Sequence, residues 1–256
     1  MRQLIAFSKK EWLEVWRTGK FLILLIVFIL FGIMNPAIAK LTPWMMEQFA
    51  TSLQESGLIV TEVTVNAMTS WTQFYKNIPM GLIVFLLLFS GILTTELQKG
   101  TLINMLTKGL SRNAVIIAKT IITIVLWTWN YWLCFFITYV YNAYFWDNSI
   151  INHLYFSAFC FYLFGVWLII LLILMSTIVT TTSFVTVGTG IVFFIVYMVS
   201  LLPDIKGYLP TKLLEISGLL AGIEKVGDYT FSVWITIIIS AIQLIIAMLV
   251  FHKKKI

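Results

Sequence analysis

The side chains able to carry out covalent or acid–base chemistry are few and widely separated. The chain has two histidines, His153 and His252, and two cysteines, Cys134 and Cys160. A metal site needs several ligands at short spacing, and a nucleophile needs a base beside it; no segment provides either. The sequence also lacks a Gly-x-x-x-x-Gly-Lys-Ser/Thr loop, which holds nucleotide phosphates. We therefore expect no catalytic residue, no metal ligand and no cofactor in this chain.

The most informative polar segment runs from Glu96 to Lys119, between two apolar stretches. Gly100 permits a sharp change of chain direction because it lacks a Cβ. Four apolar residues then recur at helical spacing: Leu102, Ile103, Leu106 and Leu110. This pattern predicts a short amphipathic helix, which would suit a groove on a soluble subunit. A helix that touches only lipid fits the periodicity equally well.

The composition places these residues in a polytopic membrane protein. Hydrophobic residues make up 60% of the chain and charged residues 11%, which would leave a soluble domain with too little polar surface. We predict an all-α membrane protein with six transmembrane helices, since each long apolar run can cross a bilayer core of about 20 helical residues. The predicted spans are residues 21–41, 78–95, 114–141, 154–175, 184–202 and 231–251.

The connecting segments complete a single transmembrane domain over residues 1–256. Their predicted bounds are an interfacial helix at 1–20, an outer segment at 42–77, a cytoplasmic loop at 96–113, an outer broken segment at 203–230 and a basic tail at 252–256. Most lysines and arginines fall on the side that holds both termini, so the termini should be cytoplasmic. Anionic lipid accounts for the net charge of +6, and no nucleic-acid partner is needed.

The segment before the first span is amphipathic when its residues are placed at 100° intervals. One half of the wheel holds Leu4, Ile5, Trp12, Leu13, Val15 and Trp16, and the other holds Gln3, Lys10, Glu11, Glu14 and Arg17. Phe7 breaks the pattern. An interfacial helix along the inner leaflet and a simple topology anchor are both compatible with it.

The two outer segments are expected to lie near the membrane surface. Residues 42–77 are polar, with Pro43 and Gly57 as breaks, and predict one or two short helices that cap the outer mouth or act as a gate. Residues 203–230 are apolar but broken by Pro210, Gly218 and Gly222. They predict a re-entrant or surface-lying helical hairpin, with a plain amphipathic loop as the alternative.

The middles of the predicted spans contain no Asp, Glu, Lys, Arg or His, which disfavours an ion-coupled carrier. The third and fourth spans are rich in aromatic residues instead. These could suit a hydrophobic or amphipathic cargo, although lipid-facing aromatic belts explain most of them.

The segment after the second span resembles the loop of type-2 ABC exporter permeases. The residues that carry this resemblance are Glu96, Gly100, Thr101, Leu102, Leu106, Thr107, Ser111, Arg112, Ile117, Ala118 and Lys119. Helix number, chain length and the amphipathic start also resemble that family, so the similarity covers the whole chain. The outer segment 42–77 departs from it, being longer than in many compact members.

The resemblance implies roles for two sets of residues. A coupling helix would contact a cytoplasmic ABC ATPase subunit that binds ATP and Mg; the coupling set is Glu96, Gly100, Thr101, Leu102, Ile103, Leu106, Leu110, Ser111 and Arg112. A connecting helix would lie beside it; its residues include Lys9, Lys10, Trp12, Trp16 and Arg17. Glu96 would pair with Lys9, Lys10 or Arg17.

Such permeases work as two membrane halves, so the resemblance also implies a second copy or a paralogue. The small residues Gly188 and Gly190 of the fifth span permit close helix approach, and we expect them to form a packing surface, with that dimer interface as one candidate place, rather than a substrate site. The leading hypothesis is an ATP-driven exporter subunit that moves a hydrophobic or amphipathic substrate by alternating access in a bacterial cell membrane. A non-transporting sensor or scaffold subunit is the alternative, and a secondary carrier comes third.

Overall fold

The computed structural model describes residues 2–55 and 65–254, and this part of the chain is helical almost throughout without any strand. The helices are α1 (Arg2–Arg17), α2 (Lys20–Glu55), α3 (Ala67–Phe89), α4 (Thr94–Gln98), α5 (Thr101–Thr107), α6 (Arg112–Phe145), α7 (Leu154–Ile178), α8 (Thr182–Val199), α9 (Pro203–Lys206), α10 (Ser217–Leu220) and α11 (Thr230–Lys253). Short 3-10 turns cover Asn148–Ile150, Pro210–Leu214 and Val226–Tyr229. The predicted all-α class is confirmed.

Six stretches are long and apolar enough to cross a membrane, which agrees with the predicted number of spans. They are Lys20–Met45, Ala67–Gln98, Arg112–Phe145, Leu154–Ile178, Thr182–Val199 and Val226–Lys253. The second combines α3, a turn and α4. The helix α7 is the most buried of the six and α8 the least, so α7 forms the centre of the bundle.

The segment predicted as separate short helices at 42–77 is built differently. Residues 42–55 continue α2 and residues 67–77 begin α3, whose first turn is capped by the Asn66 side chain accepting from Thr69 N at 3.2 Å. Gly57 and the rest of 56–64 lie outside the described residues. Within the described part, Pro43 does not end α2, although its ring removes one backbone N–H donor from the helix.

The helix α2 also passes through Pro36, and the structure shows how. Proline at this position cannot donate to the carbonyl four residues earlier, which belongs to Gly32. The Thr138 hydroxyl on α6 donates to that Gly32 oxygen at 3.0 Å. Because a polar group without a partner is costly in an apolar environment, this bond stabilises both α2 and its packing on α6.

One end of the bundle holds the start of α1, the α5 region and the end of α11, and we call it the α1 end. Gln3 Nε2 donates to Gly109 O at 3.0 Å, which joins α1 to the loop after α5. Lys254 Nζ donates to Thr177 O at 2.8 Å and to Val179 O at 3.1 Å, which joins the end of α11 to the end of α7. The other end, which we call the far end, holds the α6–α7 connection and residues 203–230.

Residues 203–230 form short helical pieces that pack on α7 and α11. Leu213 and Leu219 are fully buried there. Lys212 Nζ lies 2.7 Å from Glu224 Oε1 and 3.2 Å from Glu215 Oε2, and Tyr229 donates its hydroxyl to Glu224. These bonds close the segment on itself.

The carboxylate of Glu224 should make this segment sensitive to acid. Burial raises the pKa of Glu224, but hydrogen bonds from Lys212 and Tyr229 and the Lys212 charge outweigh it, so the pKa lies below its ordinary value of 4.5. A lowered pKa contributes stability above pH 4.5, and that stability is lost as the pH falls through the folded-state pKa. The unfolding temperature of the wild type should fall between pH 7 and pH 3, and we expect it to fall less in Glu224→Gln. Asp204→Asn, which removes an exposed carboxylate of the same segment, should show the same fall as the wild type; equal curves for wild type and Glu224→Gln would contradict this account.

The packing of α6 on α7 depends on the absence of a side chain at Gly165. A Cβ there would overlap the ring of Trp127, which is fully buried against Phe28 and Phe85. We expect Gly165→Ala to lower the free energy of unfolding by about 1–3 kcal/mol, because a well-packed core tolerates added volume poorly. Gly190→Ala is the matched control, since its added Cβ would meet no atom of the described residues within 4 Å apart from its chain neighbours and its own helix backbone. Thermal unfolding in detergent micelles compares the stability of both variants with that of the wild type. A Gly165→Ala protein with unchanged stability would count against this packing.

Candidate functional site

The face that α1 turns towards the bundle is a stripe of three residues, Phe7, Glu11 and Val15, each four residues apart. All three are buried, whereas Ile5, Leu13 and Trp16 are exposed. The apolar half of the helical wheel therefore lies partly away from the protein, as an interfacial helix requires. Phe7, which breaks the sequence pattern, is a contact with the core.

Four charged side chains meet where α1 contacts α4 and α6. Lys119 Nζ lies 2.9 Å from Glu11 Oε2 and 2.7 Å from Glu96 Oε2. Lys10 is paired with Glu96 and lies 3.0 Å from Glu11 Oε1. The four groups form a closed ring in which each charge has a neighbour of opposite sign on both sides, and we call it the ion-pair ring. It joins three helices that are far apart in sequence.

The ion-pair ring is largely removed from solvent. Glu11 and Glu96 are each 6% exposed and Lys119 is 2% exposed. The Phe7 ring lies beneath both lysines, with its centroid 5.4 Å from Lys10 Nζ and 5.6 Å from Lys119 Nζ. Buried charges of this kind are stable only when each is paired, so removal of one partner costs more than the pair itself contributes.

Lys10 forms the more accessible corner of the ring and has a further partner in Glu14, 2.6 Å away on the next turn of α1. Burial lowers the pKa of Lys10, but its hydrogen bonds to Glu14 and Glu96 and the nearby carboxylate charges outweigh this and raise the pKa above its ordinary value. Lys10 therefore stays protonated at physiological pH. The sequence offered Lys9, Lys10 and Arg17 as partners of Glu96; the structure places Lys10 there, and Lys9 and Arg17 are exposed.

The carboxylates of Glu11, Glu14 and Glu96 converge closely enough to resemble a metal site. Lys10 already lies within ion-pair distance of all three, and Lys119 contacts two of them. The ammonium groups thus supply the positive charge that a metal ion would otherwise provide. The arrangement suits a structural joint between helices rather than a metal centre.

The helix α5 begins a few residues after Glu96, a member of the ion-pair ring. It follows Glu96 by five residues, after Gly100 adopts a left-handed conformation with φ of 69° that turns the chain. Thr101 is exposed and donates its hydroxyl to Glu96 O at 3.3 Å, which fixes the start of α5. Leu102 is fully buried and anchors the helix to the bundle.

The rest of α5 is only partly covered. Ile103, Leu106 and Leu110 are half-buried and, with Thr107 and Arg112, line a groove of about 240 Å³. The outward face carries Thr101, Asn104, Thr107 and Lys108, all exposed. The seven-residue helix α5 thus carries Leu102, Ile103 and Leu106 of the predicted apolar pattern, whereas Leu110 lies three residues beyond its end.

The two residues that open α6 have structural contacts of their own. Ser111 caps the helix, its hydroxyl accepting from Ala114 N at 3.3 Å. Arg112 donates to three carbonyl oxygens at the end of α11: Phe251 at 2.9 Å, His252 at 2.8 Å and Lys254 at 2.6 Å. Arg112 therefore neutralises the free carbonyls of a helix C-terminus and connects α6 to α11.

The remaining predicted residues lie apart from this site. Trp16 stacks on Phe21, with ring centroids 4.5 Å apart, and Trp12 lies 6.5 Å from the same ring, so both support the turn from α1 to α2. On α8, a Cβ on Gly188 would lie 3.2 Å from Met175 Sδ of α7, whereas Gly190 faces open space. Gly188 thus packs within the chain, and a dimer role for Gly190 stays a prediction.

Sequence reasoning missed Lys119 as a partner of Glu96 and Glu11 as the second carboxylate of the ion-pair ring. Glu11 was placed on the polar half of α1, and Lys119 at the end of a span. The signal that could have found them is the stripe Phe7, Glu11, Val15, which marks one buried face with a charge in it. A carboxylate on a buried helix face needs a cation on the helix it meets.

Comparison with protein-family models found no match, and comparison with curated proteins found no significant match either.

Removal of Lys119 tests whether the ion-pair ring holds the helices together. In Lys119→Met the carboxylates of Glu11 and Glu96 lose a shared partner in a buried place, so we expect a loss of about 3–5 kcal/mol in the free energy of unfolding. The matched control is Lys9→Met on exposed α1 surface, expected to change stability by less than about 0.5 kcal/mol. Chemical denaturation in micelles gives both values. A Lys119→Met protein as stable as Lys9→Met would show that the ring contributes nothing.

Proposed function

We propose that this protein is the membrane-spanning permease subunit of an ATP-driven exporter of the type-2 ABC class. The observation that carries the proposal is the ion-pair ring, because it ties α1, α4 and α6 together immediately beside an exposed amphipathic helix. In this proposal α5 is the coupling helix and α1 is the connecting helix. A cytoplasmic ATPase subunit contacts α5, and both termini are cytoplasmic.

The ion-pair ring supports this role because it links α1 to α4 and α6, the helices that precede and follow α5 in the chain. The chain enters α5 from α4, which carries Glu96, and leaves it for α6, which carries Lys119. A force on α5 is therefore applied to both sides of a buried salt bridge. Closure of a partner could select one arrangement of these helices over another, provided that the partner binds the two arrangements with different affinity.

The open face of α5 supports a protein contact at this position. Half-buried Leu106 and Ile103 line the groove, and Lys108 and Asn104 are exposed beside it. Amphipathic helices commonly dock in grooves through such a mixture of apolar and polar side chains. The described residues contain no P-loop, so ATP and Mg belong to the partner in this proposal.

A second membrane half and an apolar cargo complete the proposal. The helix α8 packs mainly against α7, and Phe184, Ile191 and Phe194 on its other face are more than half exposed. That face is available to a second copy or a paralogue as well as to lipid. The cargo is a hydrophobic or amphipathic compound, moved by alternating access.

Charge on the α5 groove should separate this protein from its ATPase. We expect Leu106→Glu and Lys108→Glu to abolish co-purification of a P-loop ATPase from native membranes, since a buried carboxylate and a reversed charge both oppose docking. Ile223→Glu is the control, because Ile223 is 82% exposed at the far end. Quantitative mass spectrometry of the purified complex measures the ATPase-to-permease ratio.

Unfolding temperature is measured on the same samples, and Lys108→Glu, on exposed surface, should keep that of the wild type. An ATPase that remains bound at full ratio in both α5 variants contradicts the proposed coupling role. A bound ATPase whose hydrolysis does not respond to any transported cargo favours the sensor or scaffold alternative. Transport that continues without an ATPase and requires an ion gradient favours a carrier.

A further inference from the structure

The connection between α6 and α7 at the far end encloses a bowl of about 560 Å³. Its wall includes four aromatic residues, Tyr139, Trp146, Tyr155 and Phe156, and its rim includes one carboxylate, Asp147. We call it the aromatic bowl. It lies where the span Arg112–Phe145 ends and the span Leu154–Ile178 begins, the level at which a bilayer would place its headgroups.

The frame of the aromatic bowl is fixed by hydrogen bonds. Asn148 uses both ends of its amide, accepting from Trp71 Nε1 at 3.0 Å and donating to Tyr139 O at 3.2 Å. Asn152 N donates to Leu220 O at 3.2 Å, which ties the connection to residues 203–230. These hydrogen bonds hold the residues around the aromatic bowl in fixed positions.

The carboxylate of Asp147 is held in one orientation, and its negative charge is available to a ligand. Its two oxygens accept from Ser149 N at 2.8 Å and from the Ser149 hydroxyl at 2.5 Å. The bonds from Ser149 hold the pKa of Asp147 below its ordinary value, so it is ionised at neutral pH. Within residues 2–55 and 65–254, Asp147 forms no salt bridge, and the bowl is lined by no lysine or arginine.

The aromatic walls select the kind of cation that such a site accepts. The rings of Tyr139 and Tyr155 both line the bowl, with centroids 6.1 Å apart, so a cation bound in it has two aromatic rings nearby; a cation–π contact reaches about 6 Å from a ring centroid. Ca²⁺ and Mg²⁺ require several oxygen ligands, which ring carbons do not supply. Ile151 and Leu154, both buried, add apolar surface that suits methyl groups.

We propose that the aromatic bowl binds an alkylammonium group, with Tyr139, Trp146 and Tyr155 facing its methyl or methylene groups and Asp147 neutralising its charge. The group belongs either to a lipid headgroup, such as that of phosphatidylcholine, or to a free organic cation. An anionic ligand is opposed by Asp147. The inference does not depend on an ATPase partner, so its failure and that of the exporter proposal are separate.

Choline is the probe, and its neutral isostere 3,3-dimethylbutan-1-ol is the control ligand. Binding is measured by saturation-transfer NMR on the purified full chain in phosphatidylglycerol nanodiscs at pH 8. We expect choline to bind and the neutral alcohol to bind at least about tenfold more weakly, since cation–π attraction and the carboxylate act only on the cation.

Two variants and two controls test the residues. Asp147→Asn keeps the capping geometry but removes the charge, and Tyr155→Ala removes one ring; each should weaken choline binding about tenfold. Tyr155→Phe keeps the ring and should bind as the wild type does. Asp204→Asn, which removes another exposed carboxylate of the far end, should also leave binding unchanged.

Nanodiscs of phosphatidylcholine distinguish the two sources of the cation. Loss of free choline binding in them identifies the lipid headgroup as the occupant, whereas equal binding in both lipids identifies a soluble cation. Either result supports the bowl as an alkylammonium site. Absence of choline binding in phosphatidylglycerol, equal binding of the neutral alcohol, or full binding by Asp147→Asn would overturn it.

Discussion

Burial of Glu11, Glu96 and Lys119 is unfavourable unless each meets an opposite charge, and this constraint fixes the α1 end. Lys119 has almost no solvent contact, so its charge requires Glu11 and Glu96 at the same time. Glu11 reaches it only when α1 lies against α6, and Glu96 only when α4 ends there. The position of α1, the end of the second span and the start of α5 are therefore set together.

The same requirement for partners governs the neutral backbone groups. Thr138 bonds to the Gly32 oxygen that Pro36 leaves free, Arg112 bonds to the last carbonyls of α11, and Lys254 bonds to those of α7. Each bond joins two helices as well as completing one. In an apolar bundle, where hydrophobic attraction between helices is weak, such bonds add specificity to packing.

The two ends of the bundle consequently differ in character. The α1 end is held by paired charges around a helix with an open face, which suits mechanical contact with a soluble partner. The far end closes on itself through the Lys212 and Glu224 pair but leaves Asp147 unpaired among aromatic rings within the described part of the chain. The proposed contact with another protein and the proposed contact with a small cation thus lie at opposite ends of the bundle.

The sequence by itself determined the all-α class, the six spans and the α5 pattern, because apolar length and periodicity are local properties. It also singled out Glu96 and included Lys10 among its partners. Only the tertiary structure decided that Lys10, rather than Lys9 or Arg17, makes the contact, that Glu11 and Lys119 close the ring, and that α2 continues past Pro43. Which residues meet across helices depends on how each helix is rotated and at what angle the helices cross. These quantities are set by contacts between distant parts of the chain, so local sequence patterns do not reveal them.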